Sequence, residues 1–584
     1  MFSTRWVMLF CLLVVSPGWV FAQPSGDFVP VTDAMLQDPD PADWPMWRRT
    51  LDSWGFSPLD QIDRDNVGEL RMVWSRGLAP GLQQGTPLVY DGVMYMPNPR
   101  DVIQAIEAGT GDLLWEYRRS LPEDVDDYLI AVLADVNRNI AIYDNLIIDT
   151  SVDDYVFALD ATSGRLAWET QILDYTKNPA NQTSGPIIAN GKVISGRSCT
   201  PRGGPDACVI TAHDARTGEE LWRTRTIPAP GEPGDETWGD VPFEDRKHVG
   251  AWMAPSYDPT LNLVYIGTSV TSPAPKFLLG GIHNKHLYHN STLALDGDTG
   301  EIVWYYQHLN DHWDLDHPFE RLLLDTAVSP NPATVSWINP RLQPGEVRRV
   351  VTGIPGKTGI VYTLDRETGE FLWATPTVTQ NVISNIDGAT GAVSENPEVV
   401  FTSNGQTVLA CPTLVGGKDW EAGAYSPVTG LMYFPLRNAC ARMMATTDSD
   451  NVAASLYALA VRTEIAPGTD QVGTVQAISA ETGEIVWIHE QRAATTSLVA
   501  TAGGLVFGGD LNGRFRALDA QTGDVLWEVN LGSPITGFPI TYAIDGQQYV
   551  AVSTGNSRTV VYFAPLTPEL RPSMGNTLFV FALP

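Results

Sequence analysis

A short unit of alternating apolar and polar positions recurs along the chain, and each copy follows the pattern Ala-x-Asp-x-x-Thr-Gly-x-x-x-Trp with small variations. The apolar run before the acidic position predicts a strand, the Thr-Gly pair predicts a turn, and a second strand begins around the Trp. Further upstream, segments such as Leu88–Tyr95 alternate around an Asp-Gly turn and predict another strand pair. Ser479 is the one residue that replaces the acidic position. The copies are Ala105–Trp115, Ala158–Trp168, Ala212–Trp222, Ala294–Trp304, Thr363–Trp373, Ala477–Trp487 and Ala517–Trp527.

Four strands for each repeat are typical of one blade of a β-propeller, in which the Trp docks between neighbouring blades. The segment Leu70–Trp74 looks like half a blade, and Thr577–Ala582 at the other end of the chain would complete it and close the ring. We therefore predict an all-β, eight-bladed propeller with tryptophan-docking motifs, formed as a single domain by residues 23–584. A β-solenoid or a β-sandwich is the alternative, but the constant spacing of the motif disfavours both.

The interval from Trp373 to Trp487 is about two blades long. It includes Ala422–Pro435, a strand–turn–strand pattern that has no docking Trp. We expect this segment to form part of the ring.

Composition supports many short strands and limits the partners. The 52 Gly and 42 Pro supply turns, and the formal net charge of −31 would repel a phosphate backbone, so nucleic acid is excluded as a partner. The charge is explained by solubility alone, while docking of a basic electron acceptor is the alternative.

The first 22 residues are predicted to be a signal peptide. Arg5 precedes an apolar stretch, Trp6–Val15, and Val20–Ala22 places small residues for cleavage before Gln23. No other segment is apolar over the length that a membrane span needs. We expect a periplasmic or secreted protein without a membrane span.

Cysteine usage agrees with an oxidising compartment. Cys11 lies inside the apolar stretch of the predicted signal peptide, and four cysteines remain after it. An even number favours two disulfides. The pairing Cys199–Cys208 with Cys411–Cys440 is our hypothesis, and the other pairings stay open. The chain has no Cys-x-x-Cys-His motif for a c-type haem.

Beyond the repeats, the chain resembles the quinoprotein alcohol dehydrogenases, a family without a built-in haem in its simplest members. The likeness runs from Asp43-Trp44 and Phe56–Ile62 to Gly537–Tyr542. The family holds pyrroloquinoline quinone (PQQ) on the axis of an eight-bladed propeller. The resemblance implies an oxidoreductase that oxidises an alcohol by hydride transfer to the quinone.

The resemblance also implies which residues contact the cofactor. Arg138, in Val136-Asn137-Arg138, matches an arginine that contacts the quinone, and a permanently charged planar donor suits an ortho-quinone with three carboxylates. Trp252 matches the indole that stacks beneath the quinone. A surface ion pair is the alternative for Arg138, and a core position is the alternative for Trp252. The implied cofactor-binding residues are Gln84, Arg138, Thr183, Ser198, Cys199, Trp252, Lys357, Asp419 and Trp420.

The implied catalytic residues are Asp314 and Lys357. Asp314 lies in Asn310–His317, which is similar to the segment that holds the family's general base. Lys357 matches the basic residue that hydrogen-bonds the quinone oxygens and stabilises charge there. Asp311 and Asp316 could instead be solvated acidic residues of a loop. We prefer this interpretation for Asp311.

The chain departs from its relatives at the metal and at the cofactor's face. Val132-Leu133 replaces the family's adjacent cysteine pair, and Gln84 replaces a glutamate. Two expected metal ligands fall at Pro201 and Val270, which supply no carboxylate or amide side chain. Asp419 stands where the family usually has Asn.

Asp314 and Asp316 remain as predicted metal ligands. The family implies calcium, while the second aspartate is also similar to lanthanide-dependent members and to sugar-oxidising ones. Both metals stay open as cofactors beside PQQ.

Three functions remain open at this point. The first is oxidation of a small-molecule alcohol or polyol, with electrons passed to a separate acceptor such as a c-type cytochrome. The second is a PQQ-dependent dehydrogenase of a sugar, polyol or polymer. The third is a non-catalytic propeller that serves as a binding or assembly platform. We expect the loops Thr226–Val249 and Ser272–His289 to determine the substrate.

The second of these loops carries His283, His286 and His289. Their spacing could bind a transition metal on a helix. We interpret them instead as histidines of a solvent-facing loop.

Overall fold

A computed structural model describes residues 28–130, 133, 135–310, 312–446 and 458–584. The predicted signal peptide, Val132 and Asp311 lie outside the described residues. Nearly all of the regular structure is strand, which confirms the predicted all-β class.

Eight sheets of four or more strands follow one another along the chain, and each is one blade; their strands pair antiparallel, except that Phe56–Ser57 pairs parallel with Thr495–Thr501. The first strand of each four-stranded unit is its inner strand; in blade 1 this strand, Leu88–Tyr90, is buried, and the last strand, Leu113–Arg118, is the most exposed. Blades 1 to 4 are formed by Leu88–Tyr90, Val93–Asn98, Val102–Glu107 and Leu113–Arg118; by Ala141–Tyr143, Leu146–Thr150, Tyr155–Asp160 and Leu166–Gln171; by Ile187–Ala189, Lys192–Ser195, Val209–Asp214 and Glu220–Arg225; and by Ser256–Asp258, Leu263–Gly267, Ser291–Asp296 and Ile302–Gln307.

Blades 5 to 8 complete the set, and blades 5 and 7 each carry a fifth strand. They are formed by Leu322–Val328, Glu346–Gly353, Ile360–Asp365, Phe371–Pro376 and Trp337–Ile338; by Ala424–Ser426, Leu431–Arg437, Gly473–Ser479 and Ile485–Gln491; by Thr495–Thr501, Leu505–Asp510, Arg514–Asp519, Val525–Asn530 and Phe56–Ser57; and by Ile540–Ile544, Gln547–Thr554, Thr577–Ala582 and Arg71–Gly77.

The two ends of the described chain meet in blade 8. The N-terminal strand Arg71–Gly77 pairs antiparallel with the C-terminal strand Thr577–Ala582, so the predicted closure is confirmed. This pairing joins residues that are far apart in sequence, and it turns a row of sheets into a closed ring.

The repeated motif forms the joint between consecutive blades. Trp115 of blade 1 lies against Gly164 of blade 2, where a methyl group added to the glycine would come within 2.5 Å of the indole. The indole Nε1 also donates to the carbonyl of Ala161 at 2.9 Å. Gly164 has φ +68°, a conformation that glycine adopts without strain. The glycine is therefore required both for the turn and for the close approach of the ring.

The same joint recurs around the ring. Blade 8 docks on blade 1 through Trp74 and Gly111, and the Trp of each of blades 2 to 6 lies against the glycine of the next motif. Blades 7 and 8 meet through the rings of Trp527 and Phe581, whose centroids are 5.3 Å apart. These contacts connect all eight blades in a cycle.

The long interval before Trp487 contains one blade and insertions. The hairpin predicted at Ala422–Pro435 forms the first two strands of blade 6, the same blade that ends with Trp487. The rest of the interval forms small sheets beside the ring. These are Ile383–Ile386 with Val393–Glu395, and Thr407–Ala410 with Ala439–Ala445 and Leu459–Ile465.

Few other elements occur in the described part of the chain. Ala180–Asn181 pairs with Ser198–Cys199, and the two α-helices are Asp33–Gln37 and Arg558–Phe563. The 3-10 turns are Val67–Glu69, Val125–Asp127, Pro201–Gly203, Pro205–Ala207, Asp235–Trp238, Phe243–Asp245, Lys276–Leu278, Pro397–Val399 and Ala564–Leu566.

The disulfides are Cys199–Cys208 and Cys411–Cys440, as predicted. Within the described residues, no helix has the length and apolar character to cross a membrane.

Candidate active site on the ring axis

A cavity opens at one end of the ring. Its walls come from segments that precede or interrupt seven of the eight blades, so the cavity lies on the axis. Ten of the predicted site residues line it, namely Gln84, Arg138, Thr183, Ser198, Trp252, Asp314, Asp316, Lys357, Asp419 and Trp420.

The loops that enter the innermost strands explain this convergence. Arg138 lies three residues before the inner strand of blade 2, and Thr183, Trp252 and Trp420 lie four residues before those of blades 3, 4 and 6. All inner strands begin at the same end of the axis, so side chains at this position meet. The repeat therefore positions residues that are not themselves part of the repeated motif.

One wall combines a buried cation with two indoles. The guanidinium carbon of Arg138 lies 5.0 Å from the ring centroid of Trp252 and 5.7 Å from that of Trp420. Arg138 is only 3 % exposed, which excludes the alternative of a surface ion pair. Its NH1 donates to the carbonyl of Thr183 at 2.9 Å, while its Nε has no partner among the described residues. Burial lowers the pKa of Arg138 to about 10, and Asp419 opposes this shift, so the guanidinium is charged at neutral pH.

A lysine between two aspartates forms another wall of the cavity. The ammonium of Lys357 donates to Asp314 Oδ1 at 2.7 Å and to Asp316 Oδ2 at 3.2 Å. All three side chains are buried, so Asp316 is not a solvated loop acid. Burial alone would lower the pKa of Lys357, but Asp314, Asp316 and Asp419 raise it well above its usual value. Burial alone would raise the pKa of Asp316, and Lys357 outweighs it, so that pKa is lowered.

A second buried ion pair supports the segment that carries Asp419 and Trp420. Lys418 Nζ contacts Glu320 Oε2 at 2.7 Å, and both side chains are fully buried. Asp419 Oδ1 accepts the backbone N–H of Trp420 at 2.9 Å. Burial raises the pKa of Asp419 against the pull of Lys357. These contacts fix the segment that faces Arg138 and Lys357.

Five further residues line the cavity and were missed by sequence reasoning: His248, Leu414, Val415, Arg558 and Thr559. Thr559 belongs to the helix Arg558–Phe563 inside blade 8, and its Oγ1 donates to Glu421 Oε1 at 2.7 Å. His248 lies four residues before Trp252, inside the loop that we expected to determine the substrate. Burial lowers the pKa of His248, although Asp316 pulls it upward.

One predicted cofactor-binding residue, Cys199, does not line the cavity. Cys199 lies directly behind Ser198, with its side chain in the disulfide and its carbonyl at 2.5 Å from His248 Nδ1. Leu133 lines the cavity at the position where the family has its cysteine pair.

The interpretation of the second loop as solvent-facing was wrong for two of its three histidines. His283 is exposed, but His286 and His289 are fully buried. The reason is that His286 stacks on Trp238, with centroids 4.6 Å apart.

The described residues fit PQQ better than they fit a metal. A charged guanidinium with unused donors between two indole faces suits a flat, anionic quinone. For calcium or a lanthanide, the predicted ligands Asp314 and Asp316 are already bridged by the ammonium of Lys357. The N–H of Val270, where an amide ligand was expected, donates to Asp316 Oδ1 at 2.8 Å. Hard cations require six to eight oxygens, and no cluster of three or more metal-binding side chains occurs among the residues that the structure describes.

Comparison with known proteins agrees with this geometry. Residues 44–385 and 454–550 match the family described as PQQ: glucose/ethanol/alcohol dehydrogenase, beta-propeller domain. The chain belongs to this family. It is 32 % identical over 552 residues to the quinohemoprotein alcohol dehydrogenase ADH-IIG of Pseudomonas putida, covering 89 % of this chain and 73 % of that protein. It is 30 % identical to the quinoprotein alcohol dehydrogenase PedH of Pseudomonas putida, covering 91 % and 89 % of the two chains.

Solved structures of the family share the fold. The structure of ADHIIG from Pseudomonas putida superposes with a TM-score of 0.84 at 29 % identity, covering 95 % of this chain and 83 % of that one. A europium-containing methanol dehydrogenase superposes with a TM-score of 0.82 at 27 % identity, covering 94 % and 99 %. The predicted family and fold are thus confirmed.

Proposed function

We propose that this protein is a PQQ-dependent dehydrogenase that oxidises the hydroxyl group of a small-molecule alcohol in the axial cavity. The observation that carries the proposal is the pairing of two walls in one buried space. Arg138 with its two indoles forms one wall, and Lys357 between two carboxylates forms the other. Membership of the family supplies the link from this geometry to the chemistry.

Bound PQQ supplies an electrophilic carbonyl that accepts hydride from the carbinol carbon. The residues that would hold it are Trp252 and Trp420 as flat surfaces, and Arg138 as the donor to its carboxylates. Gln84 is 1 % exposed, and its Oε1 has no partner among the described residues, so its amide adds a further polar contact. Thr183 and Ser198 also line the cavity, and the carbonyl of Thr183 accepts a hydrogen bond from Arg138 NH1 at 2.9 Å.

We assign the role of general base to Asp314. A carboxylate at this wall takes the proton of the substrate hydroxyl, a contribution of about 10²- to 10⁴-fold in rate. Lys357 holds Asp314 Oδ1 at 2.7 Å and fixes where that carboxylate points. The same ammonium lies in the cavity, where it stabilises negative charge that develops on an oxygen beside it.

We route no step through calcium or a lanthanide, because the donor set of the described residues does not fit either ion. The assignment of Asp314 and Asp316 as metal ligands stays a prediction from the family resemblance. In the proposed site, the ammonium of Lys357 supplies the positive charge near the reacting oxygens.

The route of the electrons and the location of the protein complete the proposal. With no haem motif in the sequence, electrons leave to a separate acceptor such as a c-type cytochrome. The predicted signal peptide places the protein in the periplasm or outside the cell. The acidic net charge of −31 would favour an acceptor with a basic surface.

A dye-linked assay with added PQQ tests the proposed base. Asp314→Asn keeps the size of the side chain and removes its basicity, so kcat falls by about 10²- to 10⁴-fold. The matched control is Asp325→Asn in blade 5, whose side chain is 60 % exposed, and its kcat stays within about twofold. Full activity of Asp314→Asn would remove Asp314 from the role. A wild-type chain that binds no PQQ would favour the assembly platform instead.

A further inference from the structure

His248 lines the cavity but belongs to none of the sequence motifs described above. It is 4 % exposed, and φ is +65°, a left-handed conformation that side-chain-bearing residues rarely adopt. Such a conformation persists only where the surroundings enforce it. We therefore ask which contacts hold the backbone of His248 in this conformation.

Two neighbouring segments hold the backbone of His248. Ser269 Oγ donates to its carbonyl at 3.1 Å. Gly250, two residues later, approaches the backbone of the segment around Cys199 so closely that a methyl group would lie 3.1 Å from the Cys199 nitrogen. The disulfide Cys199–Cys208 ties that segment down in turn. The imidazole is thus placed by a rigid frame.

The hydrogen bond of the ring decides its tautomer. Nδ1 lies 2.5 Å from the carbonyl oxygen of Cys199. A carbonyl oxygen can only accept, so Nδ1 carries the hydrogen, and Nε2 of the neutral ring is an acceptor. Nε2 has no hydrogen-bond partner among the described residues, and the side chain lines the cavity. The site therefore contains an acceptor in addition to its carboxylates.

The position of His248 favours a substrate over the cofactor as the donor. Asp316 and Lys357 are the charged groups that act on the pKa of its imidazole, so His248 lies on the side of the cavity that we assign to the reacting hydroxyl. The carbonyl and carboxylate oxygens of PQQ are acceptors that suit Arg138, and its pyrrole N–H is the donor of the cofactor that competes with a substrate hydroxyl for Nε2. The PQQ titration below separates these two partners. A hydroxyl group is the complementary partner for Nε2.

We propose that His248 Nε2 binds a second hydroxyl of the substrate, so that this site prefers vicinal diols and polyols to simple alcohols. The inference rests on the proposed function, because it assigns one hydroxyl to Asp314 as the reacting group. His248 accepts a hydrogen bond from the neighbouring hydroxyl and holds the carbinol carbon in place. It is a specificity-determining residue and takes no proton in the reaction.

The test uses the full chain with PQQ and two probes, 1,2-propanediol and 1-propanol. His248→Asn retains an amide that can donate to the Cys199 carbonyl and tolerates the left-handed backbone, but it lacks an acceptor at the place of Nε2. His248→Gln brings an amide oxygen to about that place and is expected to restore part of the preference. His213→Asn is the matched control, since His213 is fully buried in blade 3 and lies outside the cavity lining.

The measured quantity is the ratio of kcat/KM for the diol to kcat/KM for the monoalcohol. A neutral hydrogen bond contributes about 0.5–1.5 kcal/mol, so His248→Asn lowers the ratio about 2- to 13-fold. His213→Asn leaves the ratio unchanged. The Kd for PQQ, measured by calorimetry, stays within about twofold in all variants that bind it.

Three results would overturn the inference. The first is a wild-type enzyme that does not prefer the diol. The second is an unchanged ratio in His248→Asn. The third is a loss of PQQ affinity in His248→Asn as large as its loss of activity, which would make His248 a cofactor residue. These results leave the proposed function standing, whereas a wild-type chain that oxidises neither alcohol with PQQ removes both.

Discussion

Adding one methyl group to the turn glycine of blade 2 tests how the ring is joined. In Gly164→Ala the new Cβ would lie 2.5 Å from Cε3 and 2.7 Å from Cδ2 of Trp115, both closer than atoms can approach without displacement. The indole must then move, and its 2.9 Å hydrogen bond to the Ala161 carbonyl is strained or lost. The substitution also places a side chain at φ +68°.

The expected cost is the sum of separate contributions. The left-handed backbone costs an alanine about 1–2 kcal/mol. Overpacking costs about 1–3 kcal/mol, and a lost hydrogen bond costs about 0.5–1.5 kcal/mol. Gly164→Ala should therefore lower the free energy of unfolding by about 3–6 kcal/mol.

The matched control separates packing from backbone strain. Gly92 lies in the first hairpin of blade 1 with φ +77°, and a methyl group there would meet no atom within 4 Å. Gly92→Ala should cost only the backbone contribution of about 1–2 kcal/mol. Urea unfolding followed by circular dichroism, with the disulfides intact, measures both variants. Equal midpoints for the two variants would refute the docking of Trp115 on Gly164.

Three further perturbations probe the site and the core. Lys357→Met leaves two buried carboxylates without their cation and should lower the free energy of unfolding by about 3–5 kcal/mol. Lys192→Met, which removes a more exposed ion pair, should lower it by at most about 1 kcal/mol. Equal urea midpoints for the two variants would contradict this. Burial raises the pKa of Asp101 to about 7, so the folded chain holds that proton more tightly than the unfolded chain and stability falls as pH rises from about 4 to 7. Asp101→Asn should reduce that fall, as urea midpoints at pH 4.5 and 7.5 would show. Trp252→Leu should raise the Kd for PQQ about tenfold by removing a flat ring, and an unchanged Kd in a calorimetric titration would exclude stacking there.

The repeated motif explains why the fold was predictable from sequence. Each copy contains its own strands, turn and docking ring, so local pattern and global architecture agree. The closing blade was also predictable, because Leu70–Trp74 and Thr577–Ala582 each look like half of the same unit. Arg138 and Trp252 were found through a resemblance, although the structure shows a simpler signal: both lie three or four residues before an inner strand.

The residues that sequence reasoning missed depend on contacts between distant segments. His248 has its orientation from the carbonyl of Cys199, and Thr559 reaches the cavity from an insertion in the closing blade, where it binds Glu421. Neither contact leaves a periodic pattern. His286 was misjudged because its burial depends on packing against Trp238, and buried His289 lies next to the ring of His286; a polar loop composition reveals neither contact.

A calorimetric titration of PQQ into the purified chain tests the central claim most directly. We predict saturable binding of one PQQ per chain, and a Kd raised about tenfold or more in Arg138→Met, because we propose the buried guanidinium beside two indoles as the main donor to the cofactor's carboxylates. Absence of saturable binding to the wild-type chain, or an unchanged Kd in Arg138→Met, would contradict it.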